Sequence, residues 1–326
     1  MERVTLQELI RQASDLGDDS EPIPYQGVLL VTAAEKRVDK RGKFYLAMTL
    51  QDRTGSINCM MWKEEEWLPQ QGSVIGVIGQ IKKFNGRLQM KAEEISRNPE
   101  NVVMSELIPA APDTPETMRA MVEETIDSMQ SGELKKLVRE MLRMAGDRLD
   151  YYPAAMVIHH AERSGLLHHI TDMLRMAERM VECYPFLNRD LLLAGVIVHD
   201  LGKIDEMVSD GMGRVQDHTR DGVLIGHLVR GVANLEVAGR NTQVTGEWLT
   251  LLQHMLISHH GVPEYGSPQL PKIPEAEALF LLDTLDSKMA IYQGILQELP
   301  EGAISERKAA LENRRIYHPL YRDGAE

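Results

Sequence analysis

Histidine and aspartate side chains are concentrated in one part of this sequence. Ten of the eleven histidines lie between His159 and His260, and Asp283 follows further on. Neutral imidazole and carboxylate oxygen are ligands that hold divalent transition metals, and helical domains build such sites by directing ligands inward from several helices. The spacing therefore predicts a metal centre. Its candidate clusters are His159-His160, His168-His169, His199-Asp200, His227 and His259-His260.

The pair His199-Asp200 is the most informative of these clusters. It ends the apolar run LLLAGVIV and is followed by Leu201-Gly202-Lys203. Two polar side chains therefore emerge where a buried helix ends beside a glycine, which favours metal binding. A single histidine on an apolar helix face is more often a structural core residue, so the interpretation depends on the clusters occurring together. Lys203, one turn past Asp200, could contact a phosphate oxygen as a point charge.

Helices must position these clusters, because apolar residues recur at three- and four-residue spacing through the second part of the chain. The predicted helices cover 116–130, 132–145, 164–182, 188–200, 219–239, 244–258 and 273–295. Except for His159-His160, which precede the helix predicted over 164–182, each cluster lies on or at the end of a different predicted helix. We therefore predict an all-α domain over residues 116–300, followed by a charged helix or tail over 301–326.

The first part of the chain has the period of β-strands. Five strand-like segments lie between residues 24 and 97, separated by turn signals such as Arg41-Gly42, Thr54-Gly55 and Asn85-Gly86. Five short strands in so short a stretch fit a small closed barrel, of which the OB-fold is a common type. The segment 1–23 is predicted to be a helical extension, and the proline-containing segment 98–115 a linker.

The charge distribution differs between the two parts. The net charge of −13 argues against a nucleic-acid partner, because phosphate contacts need Lys and Arg. Residues 24–97, however, contain 12 Lys and Arg against 8 Asp and Glu, whereas the rest of the chain contains 24 against 41. The predicted barrel is therefore the basic part of the chain.

The composition narrows the class of protein. A hydrophobic fraction of 43% and a charged fraction of 26% are typical of a globular protein. No apolar run approaches the roughly 18 residues that span a bilayer, and the N-terminal segment lacks the pattern of a secretory signal. Cys59 and Cys183 are too few for a disulfide framework, and we expect both in the core. We predict a cytoplasmic protein without membrane contact.

The motif HDLGK, with GLLHHITDML upstream and ALFLLDTLD downstream, resembles the HD phosphohydrolase superfamily. The resemblance implies an HD domain whose metal ligands are His169, His199, Asp200 and Asp283. Gly226-His227 and Ser258-His259-His260-Gly261 are similar to the members that bind a second metal. There His227, His259 and His260 would complete the second site, and Asp200 would bridge the ions. Two metals can generate a hydroxide nucleophile and neutralise charge in phosphoryl transfer.

Both halves together are similar to the YhaM-type 3'-to-5' exoribonucleases, from about residue 20 to 295. This resemblance implies that the OB domain binds single-stranded RNA, and possibly DNA, while the HD domain hydrolyses it from the 3' end. It also implies manganese, with iron, cobalt, nickel or magnesium as other candidate ions. The cyclic-dinucleotide phosphodiesterases have a Gly-Tyr-Pro tripeptide after the paired histidines, and here Gly261-Val262-Pro263-Glu264-Tyr265-Gly266 stands in its place.

The residues with a predicted role fall into three sets. Asp200 and Lys203 are the catalytic candidates, acting as bridging ligand and as a charge near the phosphate. His159 and His160 are expected to contact substrate or to hydrogen-bond the metal ligands. The expected nucleic-acid contacts of the barrel are its basic and aromatic side chains: Lys36, Arg37, Lys40, Arg41, Lys43, Phe44, Tyr45, Trp62, Lys82, Lys83, Phe84 and Arg87.

Two alternatives remain open from the residues alone. One is a nucleotide or cyclic-nucleotide phosphohydrolase in which the OB domain is regulatory or mediates oligomerisation. The other is a binding protein whose metal site is structural. For the C-terminal charged segment, packing on the helical domain and self-association are both open, and the sequence does not decide between these.

Overall fold

The structure is a computed structural model, and it describes residues 5–14, 21–39, 42–62, 67–84, 87–100, 102–103, 106–108, 110–155, 162–211, 213 and 215–321. The chain divides into two compact units, Met1–Ala110 and Ala111–Glu326. Each unit has its own hydrophobic core.

The first unit is a closed five-stranded barrel. Its strands are β1 (Ile23–Val38), β2 (Phe44–Asp52), β3 (Gly55–Met61), β4 (Val74–Phe84) and β5 (Arg87–Ser96). They follow the order β1-β2-β3-β5-β4, and β4 pairs with β1 to close the barrel. All pairs are antiparallel except β3 with β5. This arrangement confirms the predicted OB-fold.

The barrel core follows from the alternation of side chains along each strand. In β3, for example, Ile57, Cys59 and Met61 are buried, and residues between them are more exposed. Helix α1 (Leu6–Ser14) buries Leu6 and Leu9 in the same core. Asp52 holds the start of α1, because its Oδ2 accepts a hydrogen bond of 2.7 Å from the Leu6 amide.

The second unit is mainly helical. Its longer helices are α2 (Pro115–Ser128), α3 (Gly132–Ala145), α4 (Gly165–Cys183), α5 (Arg189–Val198), α8 (Gly226–Thr242), α9 (Glu247–Ser258) and α10 (Pro274–Glu298). Two short helices, α6 (Lys203–Glu206) and α7 (Arg220–Leu224), flank a hairpin of β6 (Met207–Ser209) and β7 (Val215–His218). The helical domain is therefore confirmed, but the hairpin was not predicted because its strands are only three and four residues long.

Helix α5 lies at the centre of this unit. Every residue from Asp190 to Val198 is buried, as expected for a helix whose apolar side chains face all directions. The Asn188 side chain caps its first turn by accepting a hydrogen bond from the Leu191 amide. The helix ends at Val198, and the polar pair His199-Asp200 that follows it is buried in the core.

The segment 219–239, predicted as one helix, is broken in the structure. Helix α7 ends at Leu224, and α8 begins at Gly226, whose φ is +74°. Glycine adopts this left-handed conformation without the steric cost of a Cβ atom. The break matters for the site, because it places His227 in the first turn of α8.

Two further expectations differ from the structure. Residues 301–321 contain a 3₁₀ turn (Ala309–Leu311) and isolated bridges in place of a charged helix. Glu312 and Asn313 have positive φ there, while Leu311 packs with Ile295 and Ile316. Cys183 ends α4 and is exposed, so placing it in the core was wrong. Among the described residues, no helix is long and apolar enough to cross a membrane.

Candidate metal centre

The structure brings all seven predicted ligands into one site of the helical unit. His169 lies on α4, His199 and Asp200 directly after α5, His227 on α8, His259 and His260 directly after α9, and Asp283 on α10. Five different helices thus contribute. Three of the histidines, His169, His199 and His259, have no exposed surface, and Asp200 is 1% exposed.

An inner group consists of His169, His199 and Asp200, whose ligand atoms all lie within 4.8 Å of one another. The Nε2 atoms of the two histidines are 3.3 Å apart, and His199 Nε2 lies 3.4 Å from Asp200 Oδ2. Asp283 adjoins this group, with its Oδ1 at 3.4 Å from His169 Nε2.

An outer group consists of His227, His259 and His260, whose ligand atoms also lie within 4.8 Å of one another. The Nε2 atoms of His227 and His260 are 3.3 Å apart. Both of these residues are more exposed than His259, so this group lies nearer the solvent.

The carboxylate of Asp200 lies between the two groups. Its Oδ2 is near His199 and His169, at 3.4 and 3.9 Å from their Nε2 atoms. Its Oδ1 faces the other way and lies 3.6 Å from His227 Nε2 and 3.5 Å from His259 Nε2. One oxygen toward each group is the geometry that a bridging ligand needs.

Each of the five ligand histidines has an oxygen atom within 2.9 Å of Nδ1, and in four of them this contact is a hydrogen bond; at His227 the carboxylate lies 2.8 Å away without hydrogen-bond geometry. Backbone carbonyls take this place for three of them: Val196 O for His199 at 2.9 Å, Leu256 O for His259 at 2.8 Å and Tyr265 O for His260 at 2.8 Å. Carboxylates take it for the other two. When a ring is neutral and its proton is on Nδ1, its Nε2 lone pair points into the site.

Two carboxylates that the sequence reasoning missed make these contacts. Asp286 Oδ2 lies 2.7 Å from His169 Nδ1, and Glu206 Oε2 lies 2.8 Å from His227 Nδ1. Asp286 follows the predicted ligand Asp283 by three residues on α10, and Glu206 follows Lys203 by three on α6. Residues three apart share a helix face, so this spacing was the available signal.

The residues present fit divalent metal ions. Asp200 Oδ1 and His259 Nε2 are buried and have no hydrogen-bond partner among the described residues. Burying such atoms without a partner is costly, and a metal ion would satisfy both. Imidazole nitrogen and carboxylate oxygen also suit transition-metal ions.

The electrostatic environment keeps two of the candidate ligands, Asp200 and His259, in the protonation states that bind metal ions. Burial opposes ionisation of Asp200, but Lys203 and His199 outweigh it and hold its pKa well below the usual range. Burial lowers the pKa of His259 to about 4, which keeps that ring neutral. A charged carboxylate and a neutral imidazole are the forms that bind metal.

His169 behaves differently in the metal-free protein. Burial lowers its pKa, but the carboxylates of Asp283 and Asp286 outweigh burial and raise the pKa to about 10. The ring is therefore protonated at neutral pH when no ion is bound. Metal binding must displace that proton.

Lys203 lies against the Asp200 carboxylate. Its Nζ is 2.7 Å from Asp200 Oδ2, and burial, which lowers the lysine pKa, is outweighed by the attraction of Asp200, which raises it. Lys203 therefore remains a cation beside the site. His159 and His160 lie outside the described residues.

In the barrel, the structure brings together three of the predicted nucleic-acid contacts. The Tyr45 and Trp62 rings stack with centroids 4.7 Å apart, and Lys43 Nζ lies 6.0 Å from the centre of the Trp62 ring. Phe44, which precedes Tyr45 in the chain, is 58% exposed.

The remaining barrel candidates are spread over two hairpins. Lys36 and Arg37 lie near the end of β1, where Arg37 pairs with Glu35. Lys82 and Lys83 lie in β4 opposite Gln89 and Leu88 of β5. Lys40 and Arg41, together with the side chains of Phe84 and Arg87, lie outside the described part of the chain.

Comparison with known families divides the chain in the same way as the structure. Residues 30–97 match the model of an OB-fold nucleic acid binding domain. Residues 166–288 match the HD domain, and this range includes all seven candidate ligands.

Curated relatives match most of the chain. The protein named 3'-5' exoribonuclease YhaM from Geobacillus sp. is 37% identical over 299 residues, covering 90% of this chain and 91% of the relative. Proteins of the same name from Bacillus licheniformis and Bacillus subtilis are each 35% identical, and each match covers 90% of this chain and 94% of the relative.

Proposed function

Since the chain belongs to the family of the YhaM 3'-5' exoribonucleases, we propose that Asp200 and the surrounding histidines hydrolyse single-stranded RNA from its 3' end with two divalent metal ions. The chain is a metal-dependent 3'-5' exoribonuclease with an OB-fold nucleic-acid-binding domain. The roles of individual residues, the number of ions and their identity are the proposal.

The observation that carries the proposal is the position of Asp200 between two groups of imidazole nitrogens. In the inner group the ion would be held by His169, His199, Asp200 and Asp283. In the outer group it would be held by His227, His259 and His260, with Oδ1 of Asp200. Bound ions of this kind supply an activated water and neutralise charge on the attacking and leaving oxygens.

The protein side chains orient and charge the site. Buried acceptors at Nδ1 fix the rings of His169, His199 and His259, so their Nε2 atoms stay aimed at the centre without reorganisation. Lys203 neutralises Asp200, and we propose that it also attracts a non-bridging phosphate oxygen of the substrate.

The barrel would hold the single strand upstream of the cleaved bond. Tyr45 and Trp62 offer stacked aromatic surface, and Lys43 adds positive charge beside them. Stacking tolerates any base, which suits an enzyme that moves along a strand. The same surface would accept single-stranded DNA.

Manganese is the proposed ion because the resemblance to the YhaM-type exoribonucleases implies it. The donors, mainly imidazole with two carboxylates, also suit iron and nickel. We also propose a cytoplasmic location, where reducing conditions would keep the two free cysteines unpaired. Self-association stays a prediction of the sequence.

A time course on 5'-labelled single-stranded RNA tests the proposed function. With manganese, we expect a descending ladder of shortened labelled products, absent with a chelator and reduced more than about a hundredfold in Asp200→Asn, since loss of a metal ligand exceeds the 10–100-fold effect of losing an outer partner. Asp147→Asn, an exposed carboxylate of the same unit, is the matched control. Intact RNA with folded, metal-loaded protein would contradict the proposal and favour nucleotides or cyclic nucleotides as substrates.

A further inference from the structure

The two groups of the metal centre each contain one histidine whose Nδ1 faces a carboxylate. In the inner group this is His169, which contacts Asp286, and in the outer group it is His227, which contacts Glu206. The other three ligand histidines are anchored by backbone carbonyls. Substitution of side chains cannot remove those carbonyls, so the two carboxylates are the anchors that a mutation can reach.

Asp286 is built into the core of the helical unit. It is 7% exposed and lies one turn beyond Asp283 on α10. The His169 ring therefore lies between two carboxylates of one helix, with Asp286 at 2.7 Å from Nδ1 and Asp283 at 3.4 Å from Nε2. Asp283 would contribute an oxygen to the ion directly, whereas Asp286 would act on it through the imidazole.

Glu206 is held in place by the segment that leads to His227. Its carbonyl oxygen accepts a hydrogen bond of 2.9 Å from the Thr219 amide. A Cβ atom on Gly222 would lie 2.1 Å from the same oxygen, so the chain passes very close at this point. The Glu206 side chain is 17% exposed and its Oε2 lies 2.8 Å from His227 Nδ1.

A carboxylate at Nδ1 does more than a carbonyl. It fixes the tautomer and the ring orientation, and its negative charge makes the opposite nitrogen a stronger metal donor. Removing such a partner typically weakens metal binding about 10–100-fold. The effect should stay within one group, because Asp286 and Glu206 contact histidines of different groups.

We propose that Asp286 and Glu206 are positioning residues that set the metal affinity of the inner group and of the outer group independently. The inference rests on the proposed function for its two-ion site. It extends that proposal by assigning to each ion one carboxylate that positions a ligand histidine.

Titrating manganese into the metal-free protein and measuring the heat of binding by calorimetry tests which carboxylate acts on which ion. Wild type should show two binding events, which His169→Ala and His260→Ala identify as inner and outer. Asp286→Asn and Asp286→Ala should weaken the inner event about 10–100-fold and leave the outer one unchanged, with the alanine variant the weaker because asparagine can still accept a hydrogen bond. Glu206→Gln should weaken the outer event only.

Two control variants separate positioning from general loss of structure. Asp205→Asn changes the neighbouring carboxylate on α6, which contacts Arg148 and Asn234 but no ligand histidine. Glu277→Gln changes an exposed carboxylate on α10. Both controls should bind manganese as wild type does. RNA cleavage should show a raised manganese requirement in Asp286→Asn and Glu206→Gln, with kcat recovered at saturating manganese.

Several results would overturn the inference. These are a single binding event in wild type, equal weakening of both events in either variant, or wild-type affinities in Asp286→Ala and Glu206→Gln. A kcat that stays low at saturating manganese would also overturn it. Failure of the proposed function looks different, because wild type would then bind two ions and leave RNA intact.

Discussion

Each ligand histidine of the metal centre directs Nε2 into the site, and His169 carries an additional proton in the metal-free protein. Carbonyls or carboxylates occupy each Nδ1, so Nε2 is the donor for the ion. Only a neutral ring can act in this way. His169, with a pKa raised to about 10, must therefore lose a proton before its ring can bind the ion.

Metal binding to the metal-free protein should release protons and strengthen as the pH rises. Burial lowers the pKa of His169, but Asp283 and Asp286 raise it to about 10, so the ring is protonated at pH 8 and must lose its proton to bind. Calorimetry in two buffers of different ionisation enthalpy measures the release. Identical heats in both buffers would contradict it, and His169→Ala should lose this contribution.

The two cysteines should differ in reactivity. Burial raises the pKa of the Cys59 thiol to about 12, so at pH 8 it is protonated and enclosed in the barrel core, whereas Cys183 is exposed. A thiol reagent should modify one cysteine rapidly in the folded protein and both after denaturation. Cys183→Ser should remove the rapid reaction, and a rapid reaction that persists in this variant would place Cys59 at the surface.

At the level of elements, the site depends on where helices end and how closely they approach. Helices α5 and α9 both stop at a histidine, and the carbonyl three residues earlier accepts from its Nδ1. The last carbonyls of a helix have no partner within the helix, so they are available for this purpose. Two similar helix ends thus present the buried pair His199 and His259.

Gly202 allows the chain before α6 to approach α8, and Gly202→Ala should disturb the outer group. A Cβ atom there would lie 2.4 Å from His227 O and 3.1 Å from Gly231 N. We expect a loss of about 1–3 kcal/mol in the free energy of unfolding, typical of overpacking, with weaker manganese binding at the outer group. Denaturant unfolding and calorimetry measure the two effects.

Gly132→Ala is the control for this change, because nothing lies within 4 Å of a Cβ atom at that position of α3. It should leave metal binding unchanged. Equal behaviour of the two variants would show that the close approach at Gly202 does not constrain His227.

At the scale of the whole molecule, we propose that RNA binding and hydrolysis belong to separate units. The barrel carries the aromatic pair Tyr45 and Trp62, and the helical unit carries all candidate metal ligands. A change in the barrel should therefore alter the affinity for RNA without changing the chemical step.

Trp62→Ala should raise KM for single-stranded RNA and leave kcat unchanged. Loss of one stacked base costs about 1–3 kcal/mol, which corresponds to a rise in KM of about 5-fold to 140-fold. Steady-state cleavage of an RNA oligonucleotide measures both constants. Tyr184→Ala, which removes an exposed aromatic side chain from the helical unit, should cleave as wild type does. A fall in kcat with unchanged KM would contradict the role of Trp62.

Local patterns in the sequence were enough to predict much of this protein. Period-two and three-to-four-residue spacing separated the barrel from the helical domain. Residue type indicated the histidine clusters, and the resemblance to the HD superfamily implied the seven side chains that the structure brings together. These predictions succeed because they depend on residues that are close in the chain. Neighbouring residues determine which side chains of one helix or strand are buried, and each side chain brings its own donor chemistry.

Contacts between distant residues could not be predicted in this way. Asp286 lies 117 residues from His169 in the chain, and Glu206 meets His227 only because α7 and α8 are separated at Gly226. The exposure of Cys183 and the irregular segment 301–321 likewise depend on which surfaces neighbouring elements cover. Periodicity reports the environment of one helix or strand, whereas the convergence of Nδ1, carboxylate and metal-binding atoms requires the packing of five helices.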